Sequence, residues 1–235
     1  MTLSQDIKSF IKLHAKNEAP EECCGFILND STARKANNSS QNKSQRFSIS
    51  AEDYLQAARS GRITAIYHSH PSTDATFSEY DKFNSINHNL IYVLYSLKDN
   101  SFSQFDPSLS SFNEYVGRNF DIGKTDCFGL MRDFYKAELN INLNNYKRDR
   151  DWKTYLSELF DKYFKVEGFE EVSQLQKYDC ILFKSRKNGP SSHIAIYLGH
   201  GLMLHQPQKS FSRIEEYSER HKKLTNKIIR HNELN

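Results

Sequence analysis

Hydrophobic and polar positions recur along this chain with two periods, and those periods predict its elements. Ile7, Phe10, Ile11 and His14 fall at helical spacing, so an amphipathic helix is expected over roughly 4–17, ended by Pro20. The apolar run Cys24-Gly25-Phe26-Ile27-Leu28 predicts a buried strand. Residues 29–46 are rich in Asn, Ser, Lys and Gln and predict a polar, mobile loop. A short helix over 51–59 follows, with Ser50 as its N-cap. Strands are expected over 63–70 and 90–97, with a helix starting at Ser78 between them. Further on, the pattern predicts helices over 126–138 and 151–164 and strands near 178–184, 192–198 and 201–206. The second of those helices rests on Trp152, Tyr155, Leu156, Leu159, Phe160 and Tyr163. Asp106-Pro107-Ser108-Leu109-Ser110-Ser111 reads as a linker, which divides the chain into domains 1–110 and 111–235. Both halves read as α+β, the first as a mixed sheet flanked by helices.

Composition is compatible with two small cores. The chain has 235 residues, and its 37% hydrophobic content is modest, but 13% aromatic residues supply large buried areas. Its 32 basic and 29 acidic residues leave a net charge of +3, which gives no electrostatic case for nucleic acid. The polar start Met1-Thr2-Leu3-Ser4-Gln5-Asp6 predicts no signal peptide, and no stretch is apolar enough for a membrane span. Cys23, Cys24, Cys127 and Cys180 do not look like a disulfide framework, so synthesis in a reducing cytoplasm is expected.

Two groups of residues carry chemistry. In the first, His68 and His70 lie two apart on a predicted strand and so share a face, where two imidazoles can chelate one metal. Ser78 and Asp81 form an S-x-x-D pattern at a helix start that can aim the carboxylate back at the strand end. Two nitrogens and one oxygen leave a fourth position for water, as catalytic zinc sites do, and the metal lowers the pKa of that water to about 7. Glu22 can serve as general base and Ser78 can donate to a developing oxyanion. Cys23 and Cys24 read as small buried residues rather than ligands. Pro20-Glu21-Glu22-Cys23-Cys24-Gly25, His68-Ser69-His70-Pro71, Ser78 and Asp81 together resemble the JAB/MPN (JAMM) metallopeptidase family over roughly 5–105. That resemblance implies Zn2+ held by His68, His70 and Asp81, with Glu22 as base and Ser78 assisting the oxyanion, in an enzyme cleaving isopeptide and peptide bonds.

In the second group, Cys127 opens a predicted helix, whose N-terminus favours a thiolate, and Asp126 can cap it. Gly129 leaves room for close approach of a strand or substrate. His193 stands at the mouth of the apolar run Ile194-Ala195-Ile196-Tyr197-Leu198-Gly199 and suits a general base. His205, beyond the turn His200-Gly201, can orient it. Cys180 reads as inert, and His14, His88, His200, His221 and His231 as ordinary surface or packing residues. Asp126-Cys127-x-Gly129-Leu130, the run from His193 to Gly199, and Leu204-His205 resemble the NlpC/P60 cysteine peptidases over about 113–235. That resemblance implies a papain-like domain with Cys127 as nucleophile, His193 as base and His205 as third polar residue, acting on peptidoglycan stem peptides, typically after γ-D-glutamate. Phe128 and Phe120 stand where many peptidoglycan-cleaving members have Ser and Tyr, so two hydroxyls near the expected substrate path are gone.

The joined pair, with Glu114-Tyr115-Val116-Gly117-Arg118 before the cysteine motif, resembles the tail assembly proteins of lambda-like, long-tailed phages (tail protein K). The resemblance implies other tail-tip proteins and peptidoglycan as partners. It also implies a place in the virion tail tip, or in the host cytoplasm during assembly, with action in the host periplasm on entry. Two other classes compete: a structural tail-tip component with idle or regulatory sites, and a deubiquitinase-like cellular enzyme, which the cysteine half disfavours.

Overall fold

The computed structural model describes residues 1–29, 31–148, 160, 163–184 and 189–235. The chain forms two compact units, Met1–Asn113 and Glu114–Asn235. Both combine helices and sheet, an α+β architecture.

The first unit begins with α1 (Gln5–Glu18), capped by Ser4, whose Oγ accepts the Ile7 N–H at 3.3 Å. β1 (Cys24–Leu28), β2 (Thr32–Ala36), α2 (Ala51–Ser60), β3 (Ile63–His70), α3 (Glu79–His88), β4 (Ile91–Ser96) and β5 (Phe102–Phe105) follow. The sheet runs β2-β1-β3-β4-β5. β3 and β4 pair in parallel, and α3 provides the crossover that a parallel pair requires. Both sheet faces are covered, which explains why β1 is apolar throughout rather than alternating. Ala65, Tyr67 and Val93 pack with Ile7, Ile11 and Ala15 of α1 on one face. Ile66, Tyr92 and Leu94 pack with Ala57 of α2 and with Phe77 on the other. Alternation puts His68 on that second face, between Cys24 and Leu94 in register.

The expected loop over 29–46 is in part a strand. β2 is an edge strand of Thr, Arg and Lys that pairs with β1, so its backbone is ordered while its side chains show no apolar alternation. The rest of the loop is pinned by Asn38. Its Nδ2 donates to the carbonyls of Glu22 at 3.0 Å and Arg46 at 3.1 Å, and its Oδ1 accepts the N–H of Ser40 at 3.0 Å and Ser48 at 3.1 Å.

In the second unit come α4 (Cys127–Leu139), β6 (Phe169–Glu171), β7 (Cys180–Lys184), β8 (Ser191–Gly199), β9 (Leu202–His205), β10 (Arg213–Glu216), α5 (Glu219–Leu224) and β11 (Thr225–His231). They form an antiparallel sheet, β10-β9-β8-β7-β11-β6. The β8–β9 turn uses positive φ at Gly199, His200 and Gly201, as a tight hairpin requires. Arg230 of β11 donates from Nε and Nη2 to Asp179 at 2.8 and 2.9 Å, tying the last strand to the start of β7. The expected helix over 151–164 falls mainly outside the described residues, while Phe160 and Phe164 are buried. Among the described residues no helix is long and apolar enough to cross a membrane.

Gly25 marks the tightest point of the first unit. A Cβ there would collide with the Arg34 carbonyl of β2 and lie 2.5 Å from the Tyr67 hydroxyl. Tyr67 is itself held by His14 Nδ1 at 2.9 Å, so it cannot step aside freely. Gly25→Ala should therefore cost about 3 kcal/mol of stability. Urea unfolding of the two proteins checks this, and an unchanged midpoint would contradict the packing.

Candidate active sites

The first site is built where β3 ends. His68 is fully buried, and among the described residues neither of its ring nitrogens has a hydrogen-bond partner. A buried imidazole with both nitrogens unpaired is costly and calls for a partner. His70 donates Nδ1–H to the Asp74 carbonyl at 3.0 Å, which leaves Nε2 as its lone-pair nitrogen. Asp81 comes from the capping box of α3, which fixes its carboxylate. Its Oδ2 accepts the Ser78 N–H at 3.0 Å and the Ser78 hydroxyl at 2.6 Å, while Oδ1 lies 3.6 Å from His68 Nε2. Ligand atoms of His68, His70 and Asp81 lie within 4.8 Å of one another. Glu22 Oε1 stands 4.0 Å from His70 Nε2.

Burial opposes charge on these groups, and the hydrogen bonds decide between them. Burial pushes the Glu22 carboxyl up to about 8, and the nearby Asp81 carboxylate adds to the rise. Burial opposes ionisation of Asp81 too, but His68 and Ser78 together bring it down to about 2. Burial, then the neighbouring His68, lowers His70. Two imidazoles and an ionised carboxylate, with unpaired ring nitrogen at the centre, fit a divalent cation of the borderline class and leave room for a further ligand. The Ser78 hydroxyl proton is directed at Asp81, so in this arrangement Ser78 positions a ligand. Phe47 was not foreseen: its ring stacks on His68 at 4.6 Å, brought there by the loop that Asn38 pins.

The second site is built where α4 meets β8. Asp126 caps α4, its Oδ1 accepting the Gly129 N–H at 2.8 Å. Its Oδ2 accepts Gly123 N–H at 2.6 Å and Arg148 Nε–H at 2.7 Å. A Cβ on Gly129 would strike the Lys124 carbonyl, so this glycine admits the preceding loop rather than a strand or substrate. The Cys127 sulfur receives a hydrogen bond from the Ile194 backbone, which sets it against β8 beside His193. His193 Nε2 and His205 Nδ1 are 2.8 Å apart. Cys127, His193 and His205 line one cavity of about 740 Å³, together with Phe120, Arg148 and His221. Phe120 thus lines the cavity without a hydroxyl.

Burial works against the thiolate that a helix start favours at Cys127. Burial pushes Cys127 up to about 12, with the Asp126 carboxylate second, and this outweighs the helix terminus. Burial likewise lowers His193 to about 3, with His205 second. Burial thus disfavours the charged form of both the thiol and the imidazole. Cys180 donates to the Tyr135 hydroxyl at 3.3 Å and is buried in packing. His221 is not an ordinary packing residue, since it lines the cavity and lies 3.8 Å from Glu215.

Arg148 donates to the Tyr146 carbonyl at 2.7 Å, lies over the Phe128 ring at 4.8 Å and pairs with Asp126. It neutralises Asp126, and the two side chains are 1% and 6% exposed. Among the described residues Arg148→Ala leaves the buried Asp126 carboxylate with the Gly123 and Gly129 N–H groups alone and should destabilise the second unit by about 3 kcal/mol. A thermal shift scan tests this; a melting temperature equal to that of the parent would show that the pair contributes nothing.

Residues 113–231 match the NlpC/P60 family, and residues 4–106 match the prokaryotic homologs of the JAB domain. The tail tip assembly protein K of Escherichia phage lambda is 31% identical over 78% of this chain and 89% of its own length. The tail tip assembly protein K of Escherichia phage N15 is 26% identical over 95% of this chain and 93% of its own. Among solved structures, the NlpC/p60 domain of peptidoglycan hydrolase SagA is 19% identical with a TM-score of 0.34, covering 50% of this chain and 90% of that one. The chain belongs to the family of phage tail tip assembly proteins K, with a JAB-like domain followed by a domain of the NlpC/P60 peptidase family.

Proposed function

We propose that this chain is a bifunctional peptidase of a phage tail tip. In this reading residues 1–110 form a zinc-dependent hydrolase of peptide or isopeptide bonds, and residues 111–235 a cysteine endopeptidase of peptidoglycan stem peptides. The observation that carries it is the single cavity shared by Cys127, His193 and His205, with the two imidazoles in hydrogen-bond contact. The Cys127 thiol gives its proton to His193 Nδ1 as Sγ bonds to the scissile carbonyl carbon. The carbon–nitrogen bond breaks, and the leaving amine takes that proton. Water then cleaves the thioester, with His193 as base, and restores the thiol. His205 holds the His193 ring throughout.

In the first half, His68, His70 and Asp81 would hold Zn2+. When bound, the ion supplies Lewis acidity and a water acidified to about 7. Glu22, whose Oε1 stands 4.0 Å from His70 Nε2, takes a proton from the attacking water as a carboxylate and passes it to the leaving amine. Ser78 keeps Asp81 aimed and offers its hydroxyl to the developing oxyanion when the carboxylate is engaged by the metal. The partners that suit these sites are other tail-tip proteins and the stem peptide. The setting is the virion tail tip, or the host cytoplasm during assembly, and the host periplasm on entry.

Protein purified without chelator should carry about one zinc per chain, as a site with three protein ligands does, and His68→Ala or Asp81→Ala should lose it. Elemental analysis that finds no zinc in the parent rules the metal reading out. Cys127→Ala should abolish digestion of cell-wall sacculi while Glu22→Ala leaves it intact. Sacculus digestion undiminished in Cys127→Ala would overturn the cysteine assignment, and full phage titre from the double variant would favour a structural role.

A further inference from the structure

Behind His205 lies a carboxylate that the catalytic reading does not use. Glu215 sits on β10, which pairs with β9 so that Arg213 is opposite His205, and alternation puts Glu215 on the same sheet face. Its Oε1 lies 2.5 Å from His205 Nε2. The approach is close rather than straight, so its value is in charge and position more than in direction. We infer that Glu215 is a positioning residue that fixes the tautomers of both imidazoles, so that Cys127, His193, His205 and Glu215 act as one ordered line. This inference rests on the cysteine peptidase reading of the same cavity.

The argument follows protons from the acidic end. A ring lone pair facing a carboxylate oxygen at 2.5 Å is repelled, so His205 carries its proton on Nε2. A neutral His205 then has its lone pair on Nδ1, and the 2.8 Å contact makes His193 the donor from Nε2. His193 is thereby left with a lone pair on Nδ1, the nitrogen that must accept the Cys127 proton. Without Glu215 either tautomer of His205 is available, and the wrong one turns the His193 lone pair away from the thiol. The carboxylate also stabilises the imidazolium that forms when the thiol gives up its proton.

The other groups facing this line are consistent with an ionised Glu215. Arg213 Nε lies 3.3 Å from Glu215 Oε2, on the same strand. His221 of α5 accepts the Ser218 N–H on Nδ1 at 3.3 Å, so its Nε2 carries the proton and faces Glu215 at 3.8 Å. Phe183 of β7 stacks on His193 with centroids 5.8 Å apart and supplies no charge. The close His205 contact, opposed by burial, holds Glu215 down at about 2, so the carboxylate is present at any pH where the enzyme works.

The test compares Glu215→Gln and Glu215→Leu with the parent, using a γ-D-glutamyl stem tetrapeptide as substrate and 15N spectra of the histidine rings. Gln keeps an acceptor oxygen and loses the charge; Leu loses both. In the parent, His193 and His205 should each show a single tautomer protonated on Nε2. Glu215→Leu should mix the tautomers and lower kcat by about 100-fold with KM little changed, while Glu215→Gln keeps the tautomers and loses about 10-fold. The acid limb of the kcat/KM profile should move to lower pH in Glu215→Gln, because a negative charge that raised the imidazole pKa values is gone. Unchanged tautomers in Glu215→Leu, or an unmoved profile in Glu215→Gln, overturns the inference; the Gln variant decides alone where the Leu variant does not fold. A parent that leaves the peptide intact refutes the peptidase reading instead, and the ring spectra still decide the role of Glu215.

Discussion

Exclusion of water is the constraint on which both sites depend. Charge is expensive where solvent cannot reach, so an ionisable group there either finds a partner or stays neutral. Among the described residues His68 is buried with no hydrogen-bond partner for either nitrogen, Glu22 is pushed up to about 8, and Cys127 is pushed up to about 12. These departures have opposite remedies. In the first half a cation would satisfy the nitrogens and the carboxylate at once. In the second, a substrate carbonyl gives the thiol somewhere to put its electron pair as the proton leaves.

Sheet geometry delivers the groups to these places. A strand covered on both faces, β3, brings His68 and His70 to the face opposite α1 and beneath Phe47. In the second unit the β8–β9 hairpin sets His193 and His205 in contact, and β10 continues the same face to Glu215. Helix termini finish both sites. The capping box of α3 aims Asp81, and the Asp126 cap of α4 leaves Cys127 at the first helical position. Local propensity and site chemistry therefore share the same residues.

Much of this was legible in the sequence, for reasons that also explain what was not. The strands β1, β3, β4, β7, β8 and β9 carry apolar runs, and Ser78 with Asp81 spells out a helix start. The edge strands β2 and β10 are polar, and their order comes from pairing that composition does not reveal. Phe47, Asn38 and Glu215 were missed because each acts through a contact set by loop closure or strand pairing, which no residue motif marks. The signal for Glu215 was faint but present: Arg213-Ile214-Glu215 alternates, which puts the two charged residues on one face. The thiol's protonation could not be read at all, since it turns on burial and not on residue order.

The most direct measurement is acid-quenched peptide mapping of the protein during turnover of a stem peptide. The account predicts a thioester adduct on Cys127, absent from His193→Ala. Turnover with no adduct on any cysteine, or an adduct on Cys180 instead, would contradict it.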